Sequence, residues 1–387
     1  MKNTAKHSGL LVIGIFLLGA CMRTPITSIP SIINEIAQAF HVPATSLGIL
    51  TTIPLICFGL FSVTVNWLSS RIGNEMAINW ALVLLFVGCI LRVVSYPLLI
   101  LGTVLIGIAI TFINVLLPPI ISENLPNQIG GMTSLYNVAL SLSSAIGAYA
   151  ITPVTAGFGW KLSVNVLALI PLITWVLWLP NIKFNHVDAN QSQQGVNMWH
   201  NPRAWALLVY FGASSFVFYT VVAWLPSIAE SAGISHNSAS LIAGLFQLFS
   251  IPAAFLAPLL ATRATDRRPL VFGLGVLSFI GVAMMLLPIG SFTYYVIISL
   301  FLGLGIAGTF AFIMTTFGLK TNNPADTSSL SGMVQSLGYL IAAIGPVVIG
   351  KCKALFGNWT VSELITLVVI IIFVATGLFA ENKDKIY

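Results

Sequence analysis

The sequence predicts an all-α polytopic membrane protein of twelve transmembrane helices, built as two parallel six-helix repeats. Three observations predict it. The 387 residues are 57% hydrophobic and 7% charged, whereas soluble domains carry about 25% charged residues. Twelve apolar runs of spanning length can be drawn, with mean hydropathy +0.98 over the chain. The two halves of the chain also echo one another.

The spans fall at about 9–31, 47–68, 76–95, 98–121, 131–151, 161–180, 203–228, 238–261, 270–289, 292–316, 328–350 and 361–380. Lys2, Lys6 and the apolar run ending in LGAC at Cys21 resemble a lipoprotein signal. More spans follow and the repeat needs this first helix, so it is read as a retained span. An even number of spans puts both termini on one side. With the termini in the cytoplasm, eleven of the sixteen basic residues lie inside, among them Arg71, Lys183, Arg203, Arg263, Arg267 and Lys320. Only Lys161, Lys351 and Lys353 lie outside. That bias predicts N-in, C-in. Residues 181–202, the longest polar stretch, read as a cytoplasmic linker between an N-terminal bundle (1–180) and a C-terminal bundle (203–387).

A shift of 196 positions superposes Pro30-Ser31-Ile32 on Pro226-Ser227-Ile228, Gly48 on Gly244, Arg71 on Arg267 and Gly107 on Gly303. Later the shift drifts: Gly131-Met132 matches Gly332-Met333, and Ala145-Ile146-Gly147 matches Ala343-Ile344-Gly345. A collinear series across six spans per half implies halves of the same orientation, the arrangement of the major facilitator superfamily.

The first span poses the functional question. Leu10 to Met22 is too short to cross a bilayer, so a spanning helix must carry Arg23 inside it. At ~1.5 Å per residue, Arg23 sits roughly 22 Å into a ~30 Å core. A charge there costs ~2.5 kcal/mol or more. Arg23 either snorkels to the outer interface or faces a watery cavity as a substrate anchor. Other polar residues within spans are Asn114, Tyr136, Asn137, Tyr219, Gln247, Gln335 and Tyr339. Each alone reads as interhelical hydrogen-bond glue; together with Arg23 a binding cavity is the better account. Gln335 and Tyr339 share one helical face, and the 196 shift sets Tyr219 opposite Arg23. Arg92, ending the third span, reads as a snorkelling residue. Trp67, Trp80, Trp160, Trp178, Trp199, Trp205, Trp224 and Trp359 lie near span ends and read as an interfacial belt.

Several function classes are excluded or disfavoured. The formal charge of +6 sits in loops and speaks to topology, not to nucleic acid. Four cysteines show no disulfide or metal spacing. The five histidines fall at the N-terminus or in loops, so neither a metal centre nor a cofactor is expected. There is no P-loop, so ATP is not the driving force. A membrane enzyme or a sensor would want an acid–base cluster or a soluble domain, and neither is present. Nearly all ten acidic residues read as loop or terminal, with Glu363 only opening the last span and Glu35 close to the first. With no carboxylate or histidine at membrane depth, uniport or substrate exchange is expected, since proton relays use such groups.

Six runs carry a closer resemblance: MRTPITSIPSI (22–32), LTTIPLICFGLFS (50–62), NVLLPPIISENLP (114–126), GMTSLYNVALSLSSAIGAY (131–149), YTVVAWLPSI (219–228) and LSGMVQSLGYLIAAIGPVVIG (330–350). They resemble the cyanate transporter and 2-nitroimidazole transporter family of the superfamily. The resemblance implies a bacterial cytoplasmic-membrane transporter of a small anionic or polar solute. It implies alternating access, with spans 1, 4, 5, 7, 10 and 11 lining the cavity. Arg23 would hold the anionic end of the solute, with Asn114, Tyr136, Tyr219, Gln247, Gln335 and Tyr339 as partners. The loops at 66–75 and 261–269 occupy the place of the superfamily's gating motif. Arg71, Asp266 and Arg267 are its candidates there, in degenerate form, with Ser70 where the first copy lacks the aspartate. The expected partners are the solute and the lipid bilayer, with the chain acting as a monomer. A drug exporter of the same superfamily is the alternative; apolar cations would call for a membrane carboxylate.

Overall fold

A computed structural model describes residues 2–125, 129–185, 198–321, 324–382 and 385–386. Among them there are helices and no strands. Twelve candidate membrane spans are long and apolar enough to cross a bilayer, from Gly9–Phe40 to Thr360–Ala380. The helices are α1 (Lys2–Thr27), α2 (Ile33–Phe40), α3 (Ile49–Ile72), α4 (Asn74–Leu91), α5 (Tyr96–Asn124), α6 (Ile129–Phe158), α7 (Trp160–Leu167), α8 (Leu169–Trp178), α9 (Pro202–Ser231), α10 (His236–Arg263), α11 (Arg268–Met285), α12 (Phe292–Lys320), α13 (Pro324–Phe356) and α14 (Thr360–Ala380).

Two expected spans are broken, each at a proline. Pro30 cannot donate within a helix, so α1 ends at Thr27 and the chain passes through a 3₁₀ turn, Ile29–Ile32, into α2. Pro171 leaves the Leu167 carbonyl without its helical donor, and α7 gives way to α8 at Ala168. Gly73 (φ +87°) makes the sharp turn between α3 and α4. Asn185 fastens that turn: its Nδ2 donates to the Ile72 carbonyl (2.6 Å), and its Oδ1 accepts from the Met76 N–H (3.1 Å). A Cβ at Gly73 would run into the Asn185 amide.

Packing divides the chain into two compact units, Met1–Val42 with Ile56–Gln191 and Pro43–Leu55 with Ser192–Tyr387. Within the second, the Thr52 hydroxyl donates to the Ala343 carbonyl (3.1 Å), and Gly48 lies against Trp224 and the Pro346 carbonyl. These contacts fix Pro43–Leu55 there. Residues 186–197 of the stretch read as a linker lie outside the described residues. Its ends are built into helices: Asn181 is buried, and Asn201 Nδ2 donates to the Ile386 carbonyl (2.8 Å).

The repeat reappears as equivalent packing inside each unit. In the first, α1 packs on α6, with Gly147 against Thr24 and Ser28. In the second, α9 packs on α13, with Gly345 against Thr220 and Phe216. Thr24 shifted by 196 is Thr220, and Gly147 and Gly345 are matched in sequence. Small residues at these positions let the backbones approach closely, which is what holds helices together in lipid.

The tryptophan belt is corrected in part. Trp178 is buried and donates its indole N–H to the Glu75 carbonyl (3.0 Å); Trp224 is buried and donates to the Pro346 carbonyl (2.9 Å). Trp359 is also buried, its ring centroid 5.5 Å from that of Trp224. Trp80 is exposed, as an interfacial residue would be. The Trp67 side chain lies outside the described residues.

Candidate functional site

In the first unit α1 contacts both α6 and α5, which brings the helices carrying Arg23, Tyr136 and Asn114 together. All three side chains are half-buried. A Cβ at Gly19 would stand 2.5 Å from the Tyr136 carbonyl oxygen. Arg23 lies one turn beyond Gly19 on the same face, so it sits about 6 Å along the axis from the level of Tyr136. Two turns along α6 from Tyr136, the Ser143 hydroxyl donates to the Ala20 carbonyl (3.1 Å) and fixes the register of α6 on α1.

The break after Thr27 frees the Pro25 carbonyl from helical bonding. Arg92 occupies it. Its Nη1 donates to that oxygen (2.6 Å) and its Nε to the Thr103 hydroxyl (3.1 Å), with 1% of the residue exposed. The snorkelling expected of Arg92 is therefore wrong. The side chain turns inward because a broken helix end offers it a strong acceptor, and a charge-assisted bond there outweighs hydration at the interface. Arg92 thus sets the position of the α1 segment two residues after Arg23.

In the second unit Tyr219, Gln247, Gln335 and Tyr339 lie on α9, α10 and α13, with α9 packed against both others. Tyr219 meets Phe218 edge-on, and Tyr339 meets Phe211 edge-on at 5.1 Å between centroids. Phe211 and Tyr219 are eight residues apart, about 12 Å along α9. Gln335 Nε2 donates to the Ser331 hydroxyl (2.6 Å), and Gln247 is buried with its Oε1 unpartnered among the described residues. Gln247 is thus the amide with an acceptor still to offer.

Of the gating candidates, Arg71 is exposed at the end of α3. Asp266 and Arg267 take different hydrogen-bonding partners. Asp266 takes the Arg268 guanidinium in an exposed fork (3.0 and 3.0 Å), and those bonds hold its carboxyl below the usual range. Arg267 is buried and pairs through Nε with Glu381 (2.8 Å), which Lys320 also reaches (3.3 Å). The side chain of Glu381 is 0% exposed. Lys320 Nζ donates to the Ala380 carbonyl, and the Ile386 N–H to the Lys320 carbonyl, so the same cluster anchors the residues after α14. Sequence reading missed this cluster because Glu381 and Lys320 stand at helix ends, where a solvated face is the ordinary outcome.

One carboxylate at a span end is also buried. Glu363 is 5% exposed within the span Thr360–Ala380. Glu363 stands in the first turn of α14, at the opening of the last span as expected, but that turn packs inward and the side chain is buried. Glu35 likewise falls within the span Gly9–Phe40. Among the described residues there is no group of acids, cysteines and histidines that could hold a metal ion.

Residues 11–346 match the model of the Major Facilitator Superfamily. The chain belongs to the major facilitator superfamily. As a transporter of that superfamily it resembles, at 32% identity over 100% of its length and 96% of the relative's, the uncharacterized transporter YycB of Bacillus subtilis. It is 30% identical to the 2-nitroimidazole transporter of Escherichia coli, over 99% of this chain and 98% of the other. It is 26% identical to the cyanate transport protein CynX of Escherichia coli, over 90% and 91%. Solved structures share the transporter's fold. A bacterial homologue of the human lysosomal transporter Spinster superposes with TM-score 0.79 at 14% identity, covering 97% of each chain. A mutant of the nucleoside transporter NupG gives 0.77 at 14%, covering 96% and 100%. The chain is a multi-pass membrane transporter and not an enzyme.

Proposed function

We propose that this transporter carries a small anionic or polar solute across the bacterial cytoplasmic membrane by alternating access, with both termini in the cytoplasm. The observation that carries the reading is Arg23. It is a half-buried guanidinium inside α1, one turn from the α6 contact and two residues from the carbonyl that Arg92 clamps. A guanidinium so held can present its planar fork to an anion or an electron-rich heteroatom. Asn114 and Tyr136 stand on the helices packed around α1 and supply hydrogen bonds from the same unit. Within the second unit, Gln247, with its unpartnered acceptor, and Tyr219, Gln335 and Tyr339 are the candidate hydrogen-bonding residues. Relatives that transport cyanate and 2-nitroimidazole, matched over nearly the whole chain, support a small, electron-rich solute.

The test is uptake into proteoliposomes screened over small anions and azoles, cyanate and 2-nitroimidazole included. Arg23→Lys keeps the charge and loses the fork; Arg23→Ala loses both. Each is expected to abolish saturable uptake of the solute found, with folded protein remaining in the membrane. Normal uptake by Arg23→Ala would overturn the assignment of Arg23.

A further inference from the structure

We propose that Glu363 is a proton-binding site in the second unit: protonated while its pocket is closed, and ionised when water enters. Glu363 stands in the first turn of α14 and lines a small cavity. Val221, Ile228, Val282, Met285 and Ile349 supply its apolar walls. Thr220, Ser362 and Thr366 are the remaining lining residues.

Two of the three hydroxyls favour the neutral form of the acid. Ser362 donates its proton to the Ile349 carbonyl (3.2 Å), and Thr366 donates to the Ser362 carbonyl (2.8 Å). Both therefore show the cavity only lone pairs, which can accept from a carboxylic acid and cannot donate to a carboxylate. Thr220 Oγ1 is buried with no partner among the described residues. Among those residues the Glu363 carboxyl itself has no hydrogen bond and no cation within ion-pair distance. A buried carboxylate in that setting gives up its charge by taking a proton. The N-terminal end of α14 favours the anion, but that effect is confined to the first turn and is small beside the loss of hydration. A metal ion would need several converging oxygens, and five of the lining side chains are hydrocarbon or thioether.

No neighbouring charge reverses this. Glu363 is the sole ionisable group on α14. From α12, Tyr295 lies close enough to feel a charge on Glu363, and its buried hydroxyl is unpartnered among the described residues; the Tyr294 hydroxyl donates to the Met284 carbonyl. On α13, Lys351 is exposed, Cys352 is half-exposed, and the Lys353 ammonium is held by the Gly357 carbonyl (2.6 Å) and the Trp359 ring. On α9, Glu230 pairs with His236, and Tyr219 packs on Phe218. On α11 nothing after Arg268 ionises. Opening the cavity would hydrate the carboxyl and release its proton, so a pH gradient acts directly on the motion of this unit.

The test uses purified full-length protein and needs no solute. Infrared spectra at neutral pH should show the carbonyl stretch of a protonated carboxylic acid that disappears in Glu363→Gln, the isostere of the neutral form. Amide hydrogen exchange at 360–366, corrected for intrinsic base catalysis, should accelerate severalfold on alkalinisation in the wild type and not in Glu363→Gln. Should that variant not fold, the wild type treated with the apolar reagent dicyclohexylcarbodiimide should be modified at Glu363, less so as pH rises, with sodium chloride and choline chloride giving equal yields. An infrared band that is absent or unchanged in Glu363→Gln, no modification at Glu363, or protection by sodium alone would overturn the proposal.

Discussion

Replacing Glu381 by glutamine keeps the shape of the side chain and removes the charge that Arg267 and Lys320 share. The carboxylate is fully enclosed, 2.8 Å from Arg267 Nε and 3.3 Å from Lys320 Nζ. At an effective dielectric of about 20, each of those contacts is worth roughly 5–6 kcal/mol of attraction. Mutual repulsion of the two cations and the desolvation of three ions offset most of that sum. What survives is the asymmetry: removing one partner of a buried pair costs ~3–5 kcal/mol, because the remaining charge stays buried. For a unit of this size each kcal/mol lowers the melting temperature by about 2–4 °C, so Glu381→Gln should melt on the order of 10 °C lower. The assay is intrinsic tryptophan fluorescence of the purified protein in detergent during a thermal ramp. Lys320→Met in the Glu381→Gln background should recover part of the loss, since it removes one buried cation. A Glu381→Gln protein melting with the wild type, or a double variant that loses the sum of both single effects, would refute the reasoning.

The exposed fork between Asp266 and Arg268 should behave oppositely: Asp266→Ala is expected to melt with the wild type at neutral pH, because solvent screens the pair. Its carboxyl is held low in the folded state, so whatever it contributes is present at neutral pH and fades only as acid carries the group through its lowered pKa. Gly19→Ala pushes a methyl against the Tyr136 backbone and should cost about 1–3 kcal/mol in denaturant titration, whereas Gly273→Ala, with nothing within 4 Å, should be neutral or slightly stabilising. For topology, a membrane-impermeant maleimide on intact cells should label Cys352, half-exposed beside Lys351, and leave the buried Cys21, Cys57 and Cys89 untouched. In a Cys352→Ser background, Arg263→Cys should label only after the cytoplasmic side is opened. Arg263 is exposed, whereas its neighbour Arg267 is buried. Labelling of Arg263→Cys from outside would invert the orientation.

By itself the sequence determined that the chain is a membrane protein, that it has twelve spans, and that its halves repeat. These follow from composition and period, because lipid admits only helices whose backbone is satisfied internally and whose surface is apolar. The glycine correspondences were legible for the same reason: close helix contact in lipid demands small residues, and Gly147 on Thr24 is mirrored by Gly345 on Thr220. The family resemblance was also legible, carried by runs spread over both halves. Only the tertiary structure decided where charges at the ends of spans would turn. Arg92, Lys320, Glu363 and Glu381 each stand within a turn of a helix terminus, where a long side chain can reach either outward to water or inward to the bundle. Which it does depends on whether a partner from another part of the chain is waiting: the freed Pro25 carbonyl for Arg92, and Arg267 with Lys320 for Glu381. For Glu363 no such partner exists among the described residues, and burial was settled by α14 starting at Thr360 and packing its first turn against α9 and α11. Such pairings join residues tens to hundreds of positions apart, and no local pattern of hydropathy encodes them.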